Sequence, residues 1–183
     1  MKKIVLFVLG PDRPGIIATI SKVLFESDCN LEDVSQTILQ REFISIVIAS
    51  LNESADEKIV LEELRSHLEP LGLYVHLKTM SGSPVLPQHV GESFVITTVG
   101  PDRPGLIAGI SEVLARHNIN IANLKAVSRV DQQPPHYITI YEVDIPPFTD
   151  FHEFRTALYA RAKELTLDIN LQHREIFEQI HQV

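Results

Sequence analysis

The stretch GPDRPGIIATIS begins at Gly10 and is written again, with two changes, as GPDRPGLIAGIS at Gly100. The likeness runs on through KVLFESDCN and EVLARHNIN to Asn30 and Asn120. A repeat of about ninety residues is too long for a solenoid unit and long enough for a small domain, so the chain is expected to fold as two tandem copies of one unit. Between the copies, MSGSPVLPQHVG is rich in Gly, Ser and Pro and has no sustained hydrophobic period, the pattern of a linker. The expected division is domain 1 over 1–79, linker over 80–91 and domain 2 over 92–183.

The hydrophobic period changes in the same order within each copy. Ile4 to Leu9 and Phe94 to Val99 are short apolar runs, which predict strands central in a sheet or buried on both faces. After the repeated turn, Ile16, Ile20, Val23 and Leu24 recur at helical spacing, as do Leu106, Ile110, Val113 and Leu114. Two strand-like runs follow, joined by QRE in the first copy and by a longer connection containing Pro134 and Pro135 in the second. Each copy then predicts a second helix. Ser54 with Glu57, and Asp150 with Glu153, have capping-box spacing. Leu61, Leu64, Leu68 and Leu71 form one apolar stripe, and Phe151, Phe154, Leu158, Ala162 and Leu165 the other. A closing strand alternates in LDINLQ and less cleanly in LYVHLK. Strand, helix, strand, strand, helix, strand, written twice, predicts an α+β chain of two ferredoxin-like βαββαβ domains, with antiparallel sheets carrying both helices on one face.

Composition narrows the function. The net charge of −8 disfavours a surface built to neutralise phosphate, and neither copy has the aromatic signature of an RNA-recognition motif, so no direct nucleic-acid binding is expected. The N-terminal apolar run is too short for a signal peptide, and no run reaches the roughly 20 residues of a membrane span, which predicts a cytoplasmic protein without a membrane partner. The lone Cys29 predicts a small buried hydrophobe rather than a disulfide or reactive thiol. The eight histidines lack ligand spacing, and His76 and His173 fall in or beside the closing strands; no metal and no cofactor is expected. No nucleophile elbow or phosphate loop is present, so the chain is expected not to be an enzyme.

GPDRPG itself has two readings. As punctuation, Pro14 and Pro104 suit the first turn of a helix and the glycines let the chain turn. As a binding element, the unsatisfied N–H groups at the start of a helix hold a carboxylate, with Gly15 or Gly105 leaving room for it. Asp12 or Asp102 would meet the ammonium of the same zwitterion. Arg13 and Arg103 either supplement the carboxylate contact or merely solvate the turn.

The order of elements and the DRPG turn resemble ACT domains, small regulatory modules that commonly bind amino acids. The tandem arrangement with GPDRPG and CNLED is most similar, within that family, to the glycine cleavage system transcriptional repressor group. The resemblance implies ligands held where paired domains meet, by the first strand-to-helix turn and the start of the second strand. Carried onto this sequence, it gives Asp12, Arg13, Gly15, Ile16 and Asn30 in one copy and Asp102, Arg103, Gly105, Leu106 and Asn120 in the other. ESDCNLED opposes RHNINIAN, so the two sites need not be equivalent. The implied protein is a sensor of a small amino acid such as glycine, acting on a transcriptional regulator. The open edges of such sheets favour side-by-side pairing within or between chains, so a homodimer is expected. The alternatives are a regulatory subunit of an amino-acid or one-carbon enzyme and, more distantly, a nucleic-acid-binding module.

Overall fold

A computed structural model describes residues 2–52, 55–80, 91–129 and 136–181. The chain divides into two compact units, residues 1–84 and 85–183. In the first unit the order is β1 (Lys2–Pro11), α1 (Ile16–Glu26), β2 (Cys29–Leu39), β3 (Glu42–Leu51), α2 (Glu57–Leu68), a 3-10 turn and β4 (Tyr74–Met80). The second repeats it as β5 (Glu92–Pro101), α3 (Leu106–Arg116), β6 (Asn120–Arg129), β7 (His136–Ile145), α4 (Phe151–Glu164) and β8 (Asp168–His173). It then adds α5 (Arg174–His181), a short helix beyond the expected βαββαβ order. The sheets are antiparallel, ordered β2-β3-β1-β4 and β6-β7-β5-β8.

Alternation decides which side of each sheet meets the helices. Ile4, Leu6 and Val8 of β1 are buried with Ile16, Ile20, Val23 and Leu24 of α1 and with Val60, Leu64 and Leu68 of α2. The second core repeats this with Ile96, Leu106, Ile110, Val113, Leu114, Phe154 and Leu158. The stripe of α2 is therefore turned from the expected one: Val60 replaces Leu61, which is only partly buried, and Leu71 lies in the 3-10 turn beyond the helix. Phe151 is likewise at the rim, 39% exposed, with its ring 5.3 Å from that of Phe94. Both β1 and β5 are central strands. In β1, however, only the inner face is buried, since Leu9 on the outer face is 46% exposed.

The helix caps follow from short polar side chains. Asp150 accepts from the Glu153 amide at 2.9 Å, as capping-box spacing predicts. At α2 the cap is Asp56, accepting from the Lys58 amide at 2.8 Å; the expected Ser54 lies outside the described residues, as do Pro134, Pro135 and all of the linker but Met80 and Gly91. Cys29 is 8% exposed, and burial, with Asp28 adding to it, pushes its thiol pKa up, which favours the protonated thiol.

Candidate functional site

Each copy must turn its chain from the end of a central strand into a helix on the inner face, and the two glycines of GPDRPG do different parts of that work. A Cβ on Gly10 would stand 2.7 Å from the Gly72 carbonyl oxygen. One on Gly100 would stand 2.7 Å from Leu167 Cδ2 and 2.8 Å from the Thr166 oxygen. The first glycine thus lets the central strand lie close against the segment that enters the closing strand, and at Gly10 a φ of 148° adds a backbone reason to the packing one. The last glycine is selected by backbone angle. Gly15 and Gly105 occupy the left-handed region at φ 95° and 92°, while a Cβ on either would meet no atom within 4 Å. Space is open beside both helix starts.

Neither α1 nor α3 has a side-chain cap, whereas α2 and α4 are capped by aspartates. Main-chain bonding from Thr19 to Gly15 and from Gly109 to Gly105 begins each helix at its fourth residue, which leaves the amides of the first turn pointing along the axis with the positive end of the dipole. Ile16 and Leu106 are 2% and 3% exposed, so their side chains belong to the cores and only their amides can serve the site. Arg103 donates to the carbonyl of Leu165 at the end of α4, so it is turned toward α4 rather than toward the amides. Arg13 is exposed.

The aspartates are held differently. The Asp12 amide donates to the Arg41 carbonyl at 2.9 Å, which ties the turn to the β2–β3 hairpin. The Asp102 carboxylate accepts from Ser128 Oγ at 2.9 Å. Ser128 lies across from Tyr137 and Gly100; the same register in the first unit puts Ile38 there, across from Phe43 and Gly10. Beside the second turn, residues 102–108 and Tyr137 line an open cleft of about 410 Å³. Ser128 and Tyr137 thus stand beside the turn as candidates that the turn motif does not name. Their position follows from strand register, which the turn motif does not specify.

The two asparagines stand elsewhere. Asn30 pairs with Ser50, which pairs with Lys3, nine residues before Asp12 on β1. Asn120 pairs with Asp144 and so with Ser93, nine residues before Asp102. At about 3.3 Å per residue each asparagine is roughly 30 Å along the sheet from the aspartate of its own unit. No single small molecule touches both within one unit. Among the described residues no cluster of three or more His, Cys, Asp or Glu could hold a metal ion, and no helix is long and apolar enough to cross a membrane.

Two family models, each described as ACT domain, match residues 2–78 and 94–148. The chain belongs to the ACT-domain family. The matches span β1 to β4 of the first unit and β5 to β7 of the second, and two ACT domains place the chain among regulatory proteins. A UPF0237 protein of Methanococcus maripaludis is 36% identical over 93 residues, which are 50% of this chain and 99% of that protein. A protein of unknown identity from Galdieria sulphuraria has the same fold over 94% of this chain and 98% of its own, with a TM-score of 0.75 and 27% identity. A structure provisionally described as a glycine cleavage system transcriptional repressor superposes over 93% of this chain and 96% of its own, with a TM-score of 0.70 and 18% identity, a likeness of fold.

Proposed function

We propose that this protein is a non-enzymatic, cytoplasmic sensor of a small amino acid, glycine being the first candidate, which as a homodimer controls a transcriptional regulator of amino-acid metabolism. The observation that carries the reading is the contrast among the four long helices. Two are capped by aspartate, and the two that follow GPDRPG are left open beside an aspartate of the turn. The ligand carboxylate sits on the first-turn amides, and its ammonium faces Asp102 or Asp12. The second domain, where Ser128 fixes the carboxylate and a cleft adjoins it, is the better formed of the two. Binding shifts the population of a form that the partner recognises, by the difference in affinity between forms. The repressor-like fold supports the choice of a transcriptional partner.

Titration calorimetry of the full chain with the twenty amino acids tests this. Saturable binding of a small amino acid is expected. Asp102→Ala should weaken it about 10- to 100-fold, the range of a charged hydrogen bond worth about 1.5–3 kcal/mol, and Asp12→Ala should weaken it less. Heat from none of the twenty, or unchanged affinity with both aspartates replaced, would overturn the proposal.

A further inference from the structure

The sheet face turned away from the helices in the first ACT domain is apolar and open. Val5, Phe7 and Leu9 of β1 lie beside Ile48, Ile46 and Ile44 of β3, in that register. Leu9, Ile44 and Ile46 are 46%, 41% and 43% exposed. Adjoining apolar side chains on one flat face mark an interaction surface rather than the scattered exposure common on monomers.

The borders of this patch identify the occupant. Strand β2, on one side, presents Asp33 against Ile48. Strand β4, on the other, presents Lys78 against Val5. One row across the sheet therefore reads Asp33, Ile48, Val5, Lys78: acid, two hydrophobes, base. Turning such a face over onto itself, about a two-fold axis parallel to the strands, lays β4 of one copy on β2 of the other. Lys78 then meets the second copy's acidic border while the hydrophobes meet in the middle. The surface is complementary to itself, which is what an isologous interface requires.

We infer that a second copy of this chain docks here, sheet face to sheet face, through the first ACT domain. This rests on the homodimer in the reading above and not on the amino acid, so calorimetry and the experiment below fail separately. In one sheet Asp33 and Lys78 are three strands apart, about 14 Å, too far to pair. A charge exchange therefore reports only contact between copies.

Sedimentation equilibrium of the full chain measures the dimer constant. Asp33→Lys alone and Lys78→Asp alone should each weaken the dimer about tenfold, by setting like charges face to face. The chain carrying both substitutions should return to within about threefold of the original, because opposite charges then face each other again across the interface, with their signs exchanged. Ile46→Asp, at an exposed position that leaves the core intact, should weaken the dimer by at least about 100-fold. A monomer at about 100 µM would overturn the inference, as would a dimer indifferent to Ile46→Asp, the sign of pairing through sheet edges or the other domain. A doubly exchanged chain no better than the single variants would overturn it equally.

Discussion

The outer faces of the two sheets differ in polarity and in cover, whereas the inner faces are buried in both and differ in the side chains that fill them, Leu6 beside Val47 in one and Ile96 beside Tyr141 in the other. In the first ACT domain the row Asp33, Ile48, Val5, Lys78 is apolar between charged borders; in the second the same row is Asn123, Glu142, Val95, Gln172. There α5 packs back on β5 and β8, Arg174 reaches Glu142 at 3.6 Å, and Asn123 donates to the same carboxylate at 2.9 Å. Val95 ends up 3% exposed. A duplicated unit keeps what folds it, namely the apolar stripe on the first helix and a buried inner face on the sheet. The other face is free to differ, and here one copy covers it with a local segment and the other leaves it open.

Equivalence of the inner faces can be broken first, with the largest effect. Leu6 and Ile96 occupy the same place in the two central strands and both are fully buried. Leu6→Ala and Ile96→Ala should each cost their own domain about 2–5 kcal/mol, the range for removing a buried aliphatic side chain. Denaturant unfolding followed by hydrogen exchange, which reads the two domains separately, measures both. A loss confined to one of them would mean that the two cores are not interchangeable in their energetics.

Removing α5 sharpens the contrast between the outer faces. Ending the chain at His173 uncovers Val95 and deprives Glu142 of Arg174. Re-exposing one buried aliphatic side chain should lower the stability of the second domain by about 1.5–3 kcal/mol and raise binding of an apolar dye. The first domain should be unaffected. Unchanged stability would mean that α5 contributes nothing to closing that face.

The paired turns make the next comparison. Gly15→Ala and Gly105→Ala meet no steric obstacle, so only the left-handed backbone matters, at about 1–2 kcal/mol for each domain. Equal losses by thermal or denaturant unfolding are expected because the two φ values agree within a few degrees. Unequal losses would show that one turn relaxes to another conformation at little cost, and so is less suited to hold a ligand.

What is legible in the sequence is local. Ile16, Ile20, Val23 and Leu24 declare their helix face by spacing alone, and the structure buries those four. Asp150 declares its cap by its distance from Glu153. What is not legible depends on register between strands. The two-residue turn at Gln40 and Arg41, with Gln40 at φ 60°, and the bulge between Leu31 and Asp33 together set Asn30 against Ser50 and so far from Asp12, a consequence that composition does not carry. The run IVLFVL is apolar on both faces of β1, so it cannot say that Ile4, Leu6 and Val8 are covered while Leu9 is not. Helix α5 is legible in part: Ile176, Phe177 and Ile180 recur at helical spacing, but eight residues are too few for spacing alone to decide, and its partner Glu142 lies far away in sequence.

The smallest difference to test is acid sensitivity. In the first domain Lys3 Nζ lies 2.6 Å from Glu32 Oε2, and this hydrogen bond, ahead of the Coulomb attraction of the same lysine, holds the Glu32 pKa below its ordinary 4.5. The corresponding positions of the second domain are Ser93 and Ala122, which cannot form such a pair. A carboxyl with a lowered pKa in the folded state contributes stability that is present in full above 4.5 and is lost as pH falls through the folded value. Acidification from about pH 6 to pH 3.5 should therefore cost the first domain a contribution that Glu32→Gln or Lys3→Met removes beforehand. Both side chains are partly exposed, so the effect is small and salt should diminish it further. Hydrogen exchange in β1 and β3 across that range checks it: the original chain should lose protection more steeply than either variant, and parallel curves would mean that the ion pair is too well hydrated to distinguish the two domains.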